Sequence, residues 1–149
     1  LKNKMTERKL PKIMFVCTAN SCRSQMAEGL AKQLGKGFLE PYSSGLFHSR
    51  VHPIAIEVMK EIGIDISQQK SKEIDEELLK QMDIIITLCG NAEASCPATP
   101  LNIKRIHWPI DDPVSNIGTE KEILNAFRKT RDKIKAGIES LVQELIQSQ

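Results

Sequence analysis

The sequence predicts a single-domain α/β fold, a four-stranded parallel sheet flanked by helices. Three observations carry this. Short apolar runs alternate with stretches of helical periodicity along the chain. One run, Asp83-Ile84-Ile85-Ile86-Thr87-Leu88-Cys89, is almost continuously apolar, as a parallel strand covered on both faces requires. The 149 residues suffice for one domain with a core of its own, and no repeat or linker divides them.

Residues 1–9 are polar and basic and are expected to be an N-terminal extension, in part an expression remnant, with Met5 as the natural start. The domain then occupies residues 10–149. Residues 12–16, Lys-Ile-Met-Phe-Val, read as a buried first strand. Beyond a polar loop, Met26, Ala27, Leu30, Ala31 and Leu34 recur at helical spacing and Gly35 supplies a stop. Residues 38–45 serve as a second strand, with Ser43-Ser44-Gly45 expected to turn away from it. Pro53 stands at a first helical position, Ile54, Val58 and Ile62 follow on one face, and Gly63 ends that helix, predicted over 53–62. Ile74, Leu78 and Met82 predict a shorter helix over 72–82. Residues 83–89 form the third strand and residues 103–110 the fourth, after a Pro-bounded loop. Thr119 and Glu122 form a capping box that opens a long helix, with Ile123, Phe127, Ile134, Ile138, Leu141 and Leu145 on one face.

The net charge of +2 gives no reason to expect nucleic-acid binding. No apolar run approaches the ~20 residues that cross a bilayer, and no secretory segment follows the basic start. A cytoplasmic protein without membrane contact, acting as a monomer, is the expectation. The chain has four cysteines and no Cys-x-x-Cys pair, which argues against structural zinc and for catalytic or redox thiols. His48, His52 and His107 have no ligand-like spacing, and His52 reads as a helix-start residue. No metal and no cofactor are expected.

The chemistry concentrates in residues 17–23, Cys-Thr-Ala-Asn-Ser-Cys-Arg, between the first strand and the first helix. Such a loop gathers backbone N–H groups at a helix N-terminus, a site suited to an oxyanion. Cys17 opens it and Arg23 closes it, so that Thr18, Ala19, Asn20, Ser21, Cys22, Arg23 and Ser24 wrap a tetrahedral anion above a thiolate. A helix N-terminus and a nearby Arg favour the thiolate, the nucleophilic form.

Cys89 ends the third strand, and ligands of parallel sheets bind at strand carboxyl ends. If its strand neighbours the first, the two backbones lie ~4.8 Å apart, within the Cα separation of under ~7 Å that a disulfide tolerates. Cys96 follows across Gly90-Asn91-Ala92-Glu93-Ala94-Ser95, a short polar segment expected to be mobile and exposed. Hydrolysis of a phosphate ester needs no second thiol, whereas reduction of an oxyanion needs two electrons, which a closing dithiol supplies. Three thiols so placed suggest reduction. In Asp111-Asp112-Pro113, on the same rim, Asp112 ahead of Asp111 is the candidate acid for a departing oxygen.

The loop and its continuation, residues 16–29, resemble those of the thioredoxin-coupled arsenate reductases, which have the fold of the low-molecular-weight tyrosine phosphatases. Ile86-Thr87-Leu88-Cys89-Gly90, Cys96-Pro97 and Asp111-Asp112-Pro113 match in order and spacing. The resemblance implies that Cys17 attacks arsenate, held by the loop and Arg23, while Asp112 protonates the leaving oxygen. Cys89 then attacks the adduct, releasing arsenite. Cys96 takes over Cys89, and thioredoxin resets the enzyme; phosphate and sulfate compete for the loop. Cys22 has no such role and is expected to pack. The alternatives are a low-molecular-weight tyrosine phosphatase, which usually carries aromatic residues where Val114-Ser115-Asn116 stand here, and a non-enzymatic thiol sensor.

Two departures from the family pattern carry expectations. Ala19 stands where Gly is usual, and would be strained if its φ is positive. Some members hold potassium beneath the loop on residues corresponding to Asn20, Glu28, Ser43 and an Asp. Lys72 takes the place of that Asp, so its ammonium is expected to remove or replace the ion.

Overall fold

Four strands form one all-parallel sheet: β1 (Lys12–Cys17), β2 (Glu40–Gly45), β3 (Ile84–Thr87) and β4 (Lys104–His107), in the order β2-β1-β3-β4. The computed structural model describes residues 9–148, so the expected extension lies outside the described residues except for Lys9. The helices are α1 (Arg23–Leu34), α2 (Pro53–Lys60), α3 (Glu76–Leu79), α4 (Gly90–Ser95) and α5 (Glu120–Gln147). The chain passes from β1 to β2 on one side, then returns to place β3 on the other side of β1. That reversal opens a crevice at the carboxyl ends of β1 and β3. Cys17 ends β1, and Cys89 lies two residues beyond β3.

Ile13, Phe15 and Val16 of β1 and Ile85 and Ile86 of β3 are fully buried, which explains why the central strands show no polar alternation. Met26, Ala27, Leu30 and Ala31 line the inner face of α1, which packs on β1, β2 and α5. Phe127, Ile134, Ile138 and Leu141 are the buried stripe of α5, as the periodicity predicts. Its capping box, Thr119 with Glu122, is formed in both directions. His52 caps α2, its Nδ1 accepting from the Ile54 N–H at 3.1 Å. No helix among the described residues is long and apolar enough to cross a membrane.

Besides α2 ending at Lys60 rather than 62 and β2 beginning at Glu40 rather than 38, the structure departs from the sequence reading in four places. Ser43, Ser44 and Gly45 do not turn away but stay in β2, paired with Phe15, Val16 and Cys17. The helix expected over 72–82 shrinks to α3. The Gly45 N–H donates to Lys72 O and the Ile74 N–H to Gly45 O, so residues 72–74 run extended against the end of β2. Asp75 then starts the helix by accepting from the N–H groups of Glu77 and Leu78. The third and fourth strands are shorter than 83–89 and 103–110, and residues 88–89 and 108–110 instead form the rim. The segment between Cys89 and Cys96 is not a loose loop but α4, anchored by buried Ala92.

At the far end of α2, Glu61 accepts from Arg128 (2.7 Å at Nη2) and from Arg131 (2.8 Å at Nη1), tying α2 to α5. Hydrogen bonding from Arg128, and secondarily Arg131, holds the Glu61 carboxyl down at about 2. A depressed folded-state value stabilises above the ordinary carboxylate range and is lost as pH falls through the folded value. The melting temperature of wild type should therefore exceed that of Glu61→Gln at pH 6. That gap should narrow as pH is lowered from ~4.5 towards 2, in paired thermal melts.

Candidate active site

The loop of residues 17–23 is built so that its carbonyls are used from outside. Cys17 O accepts from the Leu46 N–H (3.3 Å), Thr18 O from the Phe47 N–H (3.2 Å) and Ser21 O from the His52 N–H (3.1 Å). Ala19 O accepts from the Ser71 hydroxyl (3.0 Å) and Asn20 O from the Gln25 amide (3.1 Å). Among the described residues, the N–H groups of residues 18–22 donate no hydrogen bond to protein. Peptide donors seldom go without a partner when shielded, and a ring of them at the start of α1 is the arrangement that receives an anion.

Asn20 sets the turn of this loop. It is the one non-glycine residue with positive φ (49°) among the described residues, a conformation Asn tolerates better than most. The strain expected at Ala19 is therefore absent, because the left-handed position falls one residue later. Gly45 is required by close approach: a Cβ there would lie 2.6 Å from the Asn20 nitrogen and 2.6 Å from the Phe47 carbonyl oxygen.

Cys17 is 2% exposed at the pocket floor, with its Sγ 2.8 Å from the Ser24 hydroxyl. The Asn20 amide donates to that same hydroxyl oxygen at 2.7 Å. The Ser24 hydroxyl thus links the nucleophile to the Asn20 side chain. Arg23 is nearly buried; it donates to Ile110 O at 2.9 Å and stands 3.7 Å from the Asp112 carboxylate. Asp112 rather than Asp111 lines the pocket, a cavity of ≈ 260 Å³ whose wall also includes Phe47, Ser49, His52 and Val114. Burial, and secondarily Arg50, keeps His52 below its ordinary range, in keeping with an acceptor Nδ1.

The second thiol sits directly behind the loop. Cys89 Sγ lies 3.2 Å from the Thr18 hydroxyl and accepts from the Ala92 N–H at 3.4 Å, as the cap of α4. Cys96 closes the other end of that helix, half-buried. Cys22 is 4% exposed, and burial pushes its thiol up to about 12, so it stays protonated and packs.

The residues beneath the loop do not fit a potassium ion. Asn20 Oδ1 is already taken by the Gln25 amide (2.9 Å) and the Lys72 N–H (2.7 Å). The Ser43 hydroxyl donates to Glu28, whose carboxylate also meets Lys32 (2.7 Å) and Lys72 (3.7 Å). Ammonium groups and N–H donors occupy the oxygens a cation needs.

The sequence matches the low molecular weight phosphotyrosine protein phosphatase family over residues 12–149. The chain belongs to this family. Its relatives include an arsenate reductase of Halalkalibacterium halodurans, 49% identical over 131 residues, 88% of this chain and 94% of that protein. One from Bacillus subtilis is 49% identical over 82% of this chain and 88% of its own. Among solved structures, an arsenate reductase in the phosphate binding state is 40% identical with a TM-score of 0.75, covering 91% of this chain and 99% of that one. A low molecular weight protein tyrosine phosphatase from T. tengcongensis is 29% identical with a TM-score of 0.74, covering 90% and 99%.

The sequence reading placed the thiols, Arg23 and Asp112, and set Asn20, Glu28 and Ser43 beneath the loop, but missed the rest of the support there: Gln25, Gln69 and Ser71. Gln69 donates to the Gln25 carbonyl and side chain, and Gln25 in turn holds Asn20. The signal available was Gln25 beside the inner face of a helix, where a polar residue needs a buried partner. From the committed oxygens beneath the loop, thermal melts in potassium and sodium chloride at equal ionic strength should coincide. A potassium-specific rise in melting temperature would show that an ion displaces Lys72.

Proposed function

We propose that this protein reduces arsenate to arsenite by passing a disulfide through Cys17, Cys89 and Cys96, with thioredoxin restoring the thiols. The observation that carries the reading is the contact of Cys89 with Thr18, which sets a second thiol against the oxyanion loop. A phosphatase has no use for it there. The identity of the relatives supports the same substrate.

The Cys17 thiolate attacks arsenic in an arsenate held by the N–H groups of residues 18–22 and by Arg23. Asp112 delivers a proton to the departing oxygen, which leaves as water. Cys89 then attacks the Cys17 sulfur. The new S–S bond forms as the S–As bond breaks, and its electron pair stays on arsenic, which leaves as arsenite. Cys96 next displaces Cys17 from Cys89, and a thioredoxin dithiol reduces the Cys89–Cys96 disulfide. The two electrons come from the thiols at each turn.

The third step demands a conformational change. Seven residues of helical rise separate Cys89 and Cys96 by ~10 Å, beyond the under ~7 Å that a disulfide allows. α4 must therefore unwind, which breaks the Glu93 N–H bond to Cys89 O and the Cys96 N–H bond to Ala92 O. It also detaches the Glu93 carboxylate from the Thr87 hydroxyl and from His107.

Two experiments test the reading. In arsenate-dependent NADPH oxidation with thioredoxin and thioredoxin reductase, wild type should turn over. Cys17→Ser, Cys89→Ser and Cys96→Ser should each fall by at least ~10³-fold, the scale of removing a nucleophile. Hydrolysis of p-nitrophenyl phosphate without arsenate-dependent oxidation would make the protein a phosphatase instead. In hydrogen exchange, the amides of Glu93 and Cys96 should exchange at least ~10-fold faster in the Cys89–Cys96 disulfide form than in the reduced form. Equal protection would mean that α4 survives and the relay is drawn wrongly.

A further inference from the structure

Cys96 faces a difficulty of its own. To displace Cys17 it must act as a thiolate, yet it is half-buried at the end of α4, and burial raises its pKa. It stands at the C-terminal end of α4, the end of a helix that disfavours an anion. Its sulfur is followed at once by Pro97, whose missing N–H leaves the carbonyl as the handle on the chain at that point.

One side chain takes that handle. Arg105 projects from β4, opposite Ile85 of β3 in the register, and its Nη1 donates to Pro97 O at 2.8 Å, with the Thr99 hydroxyl at 3.4 Å. The bonds fix the chain leaving Cys96 to a strand of the sheet rather than to another loop. They also hold the guanidinium close enough to the Cys96 thiol for its charge to oppose the effect of burial, while Glu93, a turn earlier on α4, acts the other way. When α4 unwinds, this anchor lies outside the segment that has to move.

We propose that Arg105 is the positioning residue for Cys96, tying down the chain beyond the thiol and supplying the positive charge that Cys96 uses as it attacks the Cys17–Cys89 disulfide. This rests on the relay reading above. In the step itself, the Cys96 proton passes to solvent, a Cys96–Cys89 bond forms and the Cys89–Cys17 bond breaks. The electron pair leaves on Cys17 sulfur, so the disulfide moves with no net oxidation. The charge of Arg105 is needed at the start, when the attacking sulfur is anionic.

The test is the rate of Cys96 alkylation by iodoacetamide against pH in the reduced full-length protein. Each cysteine is followed separately by peptide mass analysis, in wild type, Arg105→Gln and Arg105→Lys. Loss of one nearby opposite charge lowers the thiolate fraction at pH 7 on the order of tenfold. The thiolate that remains is intrinsically more nucleophilic, which recovers part of that. Arg105→Gln should thus alkylate Cys96 about three- to fourfold more slowly at pH 7, with the rate midpoint displaced upward, while Cys17 is unchanged. Arg105→Lys should restore most of the rate, since it returns the charge.

An unchanged Cys96 profile in Arg105→Gln, or a loss that Arg105→Lys leaves unrepaired, overturns the proposal. Should Arg105→Gln fold poorly, the lysine variant and wild type at raised ionic strength give the comparison. Failure of the relay reading looks different, because either wild type would then show no thioredoxin-coupled turnover or Cys96→Ser would keep it, whatever Arg105 does to alkylation.

Discussion

The Asn20 side chain is the constraint on which the site depends. Its amide donates to Ser24 and Ser43, and its oxygen accepts from Gln25 and from the Lys72 backbone, so both donors and both lone pairs are used in a residue with no exposed surface. These bonds join the oxyanion loop to α1, to β2 and to the extended run before α3. They also hold Asn20 at positive φ, which lets the loop close into a ring with its carbonyls outward. A buried donor or acceptor left without a partner costs about 1–3 kcal/mol, so no single bond in this set is dispensable. The Ser24 hydroxyl beside Cys17 is held by the same residue.

Much of this could be read along the chain, because its signals are local. Apolar runs without alternation identified β1 and β3, and helical spacing found α1, α2 and α5. The capping box at Thr119 and the proline at position 53 placed their N-termini to the residue. What failed was set by partners distant in sequence. Residues 72–74 have helical spacing, but the end of β2 offers them a backbone partner and they run extended. The short, polar run of residues 90–95, bounded by Gly90 and Pro97, suggested a loop, yet Ala92 finds a buried position and Cys89 caps the turn.

The site divides in the same way. Cys17, Arg23, Cys89 and Asp112 stand beside their own strands and loops, and a parallel sheet delivers those to one rim. The buttress of Gln25, Gln69 and Ser71 was hidden, since Gln69 and Ser71 reach it from a distant part of the chain and Gln25 acts through the bonds they complete. Ala19 shows the risk of carrying a family position over residue by residue. The glycine that is usual there suggested a positive φ, whereas this backbone places it at Asn20. Gly45 was legible only as a turn residue, and its actual requirement, room for the loop backbone, is a contact across the sheet edge.

On the proposed relay, the geometry of α4 also determines the order in which disulfides form. In the reduced protein Cys89 and Cys96 cap opposite ends of a helix and are too far apart to oxidise one another. Cys22 is buried and held protonated, so it does not compete although it lies in the same loop. Cys89, by contrast, already touches Thr18, next to the nucleophile. The first bond that chemistry at Cys17 can make is therefore to Cys89. Forming it removes the Cys89 sulfur from its place as acceptor for the Ala92 N–H, which weakens the N-terminal turn of α4. The helix that keeps the third thiol away is thus loosened by the step that requires the third thiol next.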